Sequence, residues 1–224
     1  MPIITDNLFH RRDGVSLPRV TAITAMYPMG YGLKTWLANS GSMQEADRIK
    51  NEAAARGSRV HGIVGDLLQG GEINYSPELD YLWSYLEGFA NFWETEKLSE
   101  NLADLQVERF MWNEKIGTAG SADLVVGDTI IDFKTSTSVQ YPEYALQIDA
   151  YRRLAEAEDH KKYNRLWLVQ LGSNTKRGYS IKEIKDSRKD LKTAFEACKL
   201  LFYREHGAEP KDKILRDQIK LNLI

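Results

Sequence analysis

Asp123, Asp132 and Lys134 are side chains of types able to act together, and their spacing suggests that they do. They lie in Gly117–Lys134, which reads as two short β-strands joined at Gly127-Asp128. Leu124 to Val126 precede the turn and Thr129 to Phe133 follow it, rich in β-branched and aromatic residues, a hairpin signal. With a two-residue loop, Val126 faces Thr129, Val125 faces Ile130, Leu124 faces Ile131, and Asp123 falls opposite Asp132. Strand side chains alternate, so Lys134 joins Asp132 on one face while Leu124, Ile131 and Phe133 turn into a core. Two carboxylates about 5 Å apart repel by roughly 3 kcal/mol at an effective dielectric near 20. A shared proton, the lysine or a divalent cation must offset that, and open carboxylate oxygens suit Mg²⁺ or Mn²⁺. The plain alternative is a hairpin face whose three charges are merely solvated.

Other residues of the same character stand on elements that could bring them near. Ser42 to about Gln69 reads as one long helix, with Ser42 and Glu45 forming a capping box. Ile49, Ala53, Val60, Val64, Leu67 and Leu68 give it an apolar face. On that face Gly57, His61 and Gly65 recur every four residues. Interior glycine costs about 1 kcal/mol relative to alanine, so two glycines flanking a histidine suggest close approach of backbone or ligand. Arg56 and Arg59 could meet phosphates or simply face water. Glu108 lies on a strand read over Asp104 to Asn113, either as a metal ligand or as an exposed strand residue. Gln147 and Tyr151 share one face of a helix opened by Tyr141-Pro142-Glu143 and running to about Glu158.

Taken in order, these motifs resemble a known family. Gly120-Ser121-Ala122-Asp123 followed by Ile131-Asp132-Phe133-Lys134 resembles the core of the PD-(D/E)xK nucleases, RecB-like branch. Within it the chain is most similar to the group around the mitochondrial genome maintenance exonuclease and its bacterial and phage relatives. Arg56-Gly57-Ser58-Arg59-Val60-His61 resembles the branch's Gly-x-x-x-His, and Gln147-x-x-x-Tyr151 its Gln-x-x-x-Tyr. The resemblance implies metal ligation by His61, Asp123, Asp132 and the Phe133 backbone carbonyl, with Glu108 as a helper. It implies that Lys134 positions or activates the attacking water and that Gln147 and Tyr151 contact DNA. The expected activity is a Mg²⁺- or Mn²⁺-dependent DNA exonuclease, acting on single-stranded DNA with a free end in recombination, repair or replication. A structure-specific endonuclease and a non-catalytic DNA-binding subunit are the alternatives. Leu17-Pro18-Arg19-Val20-Thr21 is a weaker point of similarity, with Arg19 where the family has serine.

Composition bounds this reading. The single cysteine, Cys198, excludes a four-cysteine iron–sulfur cluster, which other RecB-like nucleases carry. A formal net charge of −2 argues against indiscriminate DNA binding but leaves room for a local basic groove. No phosphate-binding Gly-rich loop ending in Lys-Ser/Thr is found, so unwinding would need a separate helicase or recombination protein. No apolar run approaches a membrane span, and the first residues lack signal- or transit-peptide character, so a cytoplasmic setting is expected.

The expected fold class is α/β: a restriction-endonuclease-like core with a central mixed β-sheet flanked by helices, plus a helical N-terminal portion. The chain is read as one nuclease domain over 1–224. Residues 1–100 form its mainly helical part, and 101–224 form the sheet core. Residues 1 to 15 read as irregular or edge structure, Leu17 to Ile23 as an extended-to-helix turn, and Leu33 to Asn39 as a short helix. A further helix, capped by Ser76, runs from Pro77 to about Lys97, its aromatic residues in the core. Arg165 to Leu171 and Tyr179 to Ile184 are strands joined through Gly172-Ser173-Asn174. A last helix capped near Ser187 runs to about His206 with Leu191, Ala194, Phe195, Cys198 and Leu201 inward.

Overall fold

The computed structural model describes residues 3–98, 104–172 and 174–207. Met1, Pro2, Ser173 of the expected turn and the last part of the 1–224 span lie outside the described residues.

The expected hairpin forms in the expected register. Strand β5 (Thr118–Val126) pairs antiparallel with β6 (Thr129–Lys134) through Val126–Thr129, Val125–Ile130 and Leu124–Ile131. Gly127, first of the two loop residues, takes φ of +56°, the left-handed start that a type II′ turn requires. The turn is fixed to the rest of the sheet by Asp128, whose carbonyl accepts from the backbone N–H groups of Asn164 and Arg165.

Strand β4 (Gln106–Asn113) pairs with β5, while β7 (Arg165–Leu171) runs parallel to β6 and β8 (Tyr179–Glu183) antiparallel to β7. The result is a mixed five-stranded sheet in the order β4-β5-β6-β7-β8. Parallel neighbours require a crossover, and α5 (Pro142–Asp159) supplies it. Alternation along the buried strands sorts the core into two layers. Ile130, Leu166 and Leu168 join α5 residues such as Ile148, Ala150 and Leu154, with Phe195 and Phe202 of α6 (Arg188–His206). Leu124, Ile131, Phe133, Trp167 and Val169 pack instead against α3 (Met43–Leu68) and α4 (Asp80–Thr95). A mixed α/β core of the restriction-endonuclease-like kind is the architecture.

The N-terminal portion contains α1 (Val20–Thr24) and α2 (Tyr31–Asn39), but it is not only helical. β1 (Ile4–Thr5), β2 (Phe9–Arg12) and β3 (Val15–Pro18) form a small antiparallel sheet of their own in the stretch read as irregular or edge structure. Asp13 and Gly14 both have positive φ, +54° and +76°, the two-residue type I′ hairpin that Asp-Gly favours. The sheet is fastened to the core by a bond from Thr118 Oγ1 to the Pro18 carbonyl, 2.8 Å.

Three smaller expectations are corrected. Leu201 is 47% exposed, because the inward stripe of α6 steps by four from Cys198 to Phe202 rather than by three. Ile49 is 37% exposed, and the buried face of α3 is confined to Ala46, Val60, Val64 and Gly65. Ser76 makes no side-chain cap; the helix there begins with a 3₁₀ turn over Pro77–Leu79 before α4. At α3 the cap is present: Ser42 accepts from the Glu45 backbone N–H at 3.1 Å.

Candidate active site

The hairpin ladder stops one pair short of Asp123 and Asp132. In place of a further backbone bond, the Phe133 N–H donates to Asp123 Oδ2 at 2.6 Å, so the side chain takes the place of the next rung. Phe133 itself is locked beneath the sheet by edge-on contacts with Phe89 and Phe92, ring centres 5.6 and 5.8 Å away. Because α3 packs Val60 and Val64 on that same layer, it carries His61 to the opening between β5 and β6. His61 Nδ1 stands 3.2 Å from Asp123 Oδ1.

Glu108 enters from the other side of β5. The β4–β5 ladder is formed at Val107–Leu124 and Arg109–Ala122, so counting places Glu108 directly across from Asp123 at a gap in the ladder. Its φ is +48°, unusual for a residue with a long side chain and worth roughly 1–3 kcal/mol of strain. The strained turn brings a ligand atom of Glu108 into one group with those of His61 and Asp123, all within 4.8 Å of one another. Two carboxylates and an imidazole fit a divalent ion by donor type, and their mutual repulsion is what a cation would relieve.

Asp132 turns the other way, toward α5. Lys134 Nζ pairs with Asp132 Oδ2 at 2.7 Å, and both side chains are almost wholly buried. Gln147 joins them: its Oε1 accepts from Lys134 Nζ at 3.0 Å, and its Nε2 donates to Asp132 Oδ1 at 3.2 Å and to Tyr151 Oη at 3.1 Å. The i, i+4 spacing of Gln147 and Tyr151 therefore serves one linked network. Tyr144, one turn before Gln147, lays its ring 4.3 Å from Lys134 Nζ. Its i−3 spacing from Gln147 puts Tyr144 on the same helix face, a signal readable in the sequence.

Charges in this cluster are strongly perturbed. Burial pushes the Asp132 carboxyl up, opposed by the Lys134 ammonium. Burial alone would lower Lys134, but the Asp132 and Asp123 carboxylates outweigh it and keep the amine protonated. Burial and the Asp123 charge raise Glu108, and burial raises Tyr151. For His61, burial acts downward, yet Asp123 and Asp132 lift the ring from 6.5 to about 9. A raised histidine stabilises the fold fully below its unfolded value and loses that contribution as the ring deprotonates. The metal-free protein should thus lose stability between pH 6.5 and about 9. Denaturant midpoints across that window should flatten in His61→Gln.

Of the two glycines on α3, Gly57 marks a close approach, while Gly65 leaves ordinary contact distance. A Cβ at Gly57 would stand 3.2 Å from Thr135 Oγ1, and one at Gly65 would stand 4.0 Å from Glu108 Cγ. Arg56 is half-buried beside the cluster, while Arg59 is exposed. The basic residues of β8 and α6 largely face solvent, several against acids, as Lys185 does with Glu183 and Arg188 with Glu156.

The fold and this cluster define an α/β protein with a candidate divalent-metal site at the opening of a mixed sheet. No family model and no curated protein matches the chain. Among solved structures it is similar to a candidate exonuclease from Eubacterium rectale, with 15% identity over 75% of this chain and 77% of that one, at a TM-score of 0.47. It is also similar to an alkaline exonuclease from Laribacter hongkongensis, with 13% identity over 84% and 88% of the two chains, at a TM-score of 0.40. Among the described residues no helix is long and apolar enough to cross a membrane.

Proposed function

We propose that the protein is a metal-dependent DNA exonuclease of the PD-(D/E)xK type, RecB-like and free of an iron–sulfur cluster. Single-stranded DNA with a free end would be the substrate, and Mg²⁺ or Mn²⁺ the cofactor. The observation that carries this reading is the pairing of two acidic clusters across one strand end: Asp123 with His61 and Glu108, and Asp132 with Lys134 and Gln147. The motif resemblance supports the same assignment.

Asp123, His61 and Glu108 would hold the ion, with Asp132 and the Phe133 carbonyl completing the set as the resemblance implies. When bound, the ion would supply positive charge against the scissile phosphate and lower the pKa of a water. Lys134, kept charged by Asp132, offers an ammonium where charge accumulates on the phosphate and would orient the attacking water. Asp132 and Gln147 fix that ammonium from two sides, so little reorganisation is needed as the reaction proceeds. Tyr151 is only 3% exposed, so rather than touching DNA it would support the Lys134 network from within by holding Gln147.

Glu108 gives a signature that separates binding from folding. Glycine fits φ of +48° without strain, so Glu108→Gly should be about 1 kcal/mol more stable than Glu108→Ala. Both should weaken Mn²⁺ binding about tenfold or more in calorimetry. Equal metal affinity in all three proteins would remove Glu108 from the site. The activity itself is tested by giving the enzyme linear and closed circular forms of one single-stranded DNA with Mg²⁺ or Mn²⁺. An end-requiring exonuclease degrades the linear form alone; attack on the circle at a comparable rate overturns the end requirement.

A further inference from the structure

The cleft that holds His61, Phe133 and Lys134 continues past them as an open cavity of about 270 Å³, whose outer part the chemistry above does not use. It is bounded by Arg56 and Gly57 of α3, by Lys134, Thr135 and Ser136 at and after the end of β6, and by Tyr144 of α5. Its α3 wall is smooth, because Ala53, Ala54 and Gly57 present almost no side chain. Its far wall is braced: Ser136 Oγ donates to the Ser138 carbonyl at 2.6 Å, and the Ser136 carbonyl accepts from Gln170 Nε2 at 2.9 Å.

Arg56 is the unexplained group. Its Nε is buried and has no hydrogen-bond partner among the described residues. The guanidinium leans over Tyr85, 5.7 Å from the ring centre, which orients the fork without satisfying its donors. A buried donor left unmade is costly, so a group retained in that state points to a ligand. The ligand chemistry is that of a tetrahedral anion, since a guanidinium fork beside a hydroxyl-bearing loop suits phosphate oxygens. Five residues separate Arg56 from His61, about 7.5 Å along a helix, a distance of the order of one nucleotide of backbone.

We propose that Arg56, with the Thr135 hydroxyl, forms a second phosphate-binding corner of this cleft that grips the DNA backbone one phosphate away from the bond being cut. The pocket rests on the nuclease reading and adds to it a positioning contact: the strand is held at two neighbouring phosphates, so its register against Lys134 is fixed before reaction. Arg59, exposed one turn along, has no part in it.

The test is binding, read by fluorescence anisotropy in an Asp132→Asn background so that the DNA stays intact. The probes are single-stranded oligonucleotides each carrying one neutral methylphosphonate at a successive position, and a pair with and without terminal phosphates. With Arg56 present, one position next to the cleavage point should weaken binding about tenfold. Arg56→Gln should weaken unmodified DNA by a similar factor, lower the salt slope by about one, and become indifferent to that position. Arg56→Lys should recover part of the affinity, because charge remains while the fork is lost. If removal of the terminal phosphate reproduces the loss, the phosphate held is the strand's end; if the internal substitution does, it is an internal one. Arg56→Gln binding unmodified DNA as tightly as its parent, with the same positional profile, would overturn the pocket while wild-type cleavage persisted. Failure of the nuclease reading looks different: wild-type protein would neither bind nor cut any of these strands, and both proposals would fall.

Discussion

Asp132→Asn should reduce DNA cleavage to less than about one-thousandth of wild type while the protein remains folded. The amide keeps the shape and one acceptor for Lys134, but removes the charge that holds the ammonium and that, in the proposed function, would help hold the metal. Asp132→Ala should be less benign to the fold, because the position is buried. Lys134 and Asp132 pair at 2.7 Å with side chains 14% and 4% exposed, so alanine at 132 strands a charge in the interior. Breaking such a pair from one side costs about 3–5 kcal/mol. The mirror variant, Lys134→Ala, should be milder in stability, since burial already pushes the Asp132 carboxyl toward its neutral form. It should still lose cleavage to a similar extent. Chemical denaturation alongside a cleavage assay separates the three variants. Equal stability of Asp132→Ala and Asp132→Asn would show that the ion pair contributes little.

The second large effect lies far from the chemistry. Gly88→Ala should destabilise the protein by about 3 kcal/mol, lowering Tm by roughly 10 °C in a calorimetric scan. A Cβ at Gly88 would collide with the Gly178 carbonyl oxygen and stand 3.2 Å from the Gly172 backbone nitrogen. Both obstacles are backbone, so no rotamer change relieves them, and α4 must move off the β7–β8 end. Phe89 and Phe92 move with it, and they brace Phe133 between Asp132 and Lys134. Cleavage should therefore fall even at temperatures where Gly88→Ala is folded. An unchanged Tm would mean that α4 sits less closely on the sheet than described.

Legibility in the sequence followed the length of each pattern. The β5–β6 hairpin was readable to the residue because two turn residues separate strands buried on both sides, and a slip of one would reverse every face. β7 and α6 were readable for the same reason, a long apolar run and a cap. The N-terminal sheet was not, since strands of two to four residues carry too little alternation. Its signal was nonetheless present in Asp13-Gly14, whose two positive φ values are what that dipeptide tolerates. Within the site, the spacing of Gln147 and Tyr151 anticipated their shared network. The sequence placed Lys134 beside Asp132 and left Glu108 open between ligand and exposed residue; the left-handed backbone that brings Glu108 to Asp123 and His61 carried no sequence signal. Sequence spacing fixes faces; which of two neighbouring carboxylates meets the imidazole depends on where a ladder ends.

The most direct measurement is cleavage of end-labelled single- and double-stranded DNA by the purified protein with Mg²⁺, with Mn²⁺, and with excess EDTA. The account expects labelled single strands to be shortened with at least one of the two ions and to survive intact in EDTA. Cleavage that proceeds undiminished in EDTA, or DNA left whole under all three conditions, would contradict it.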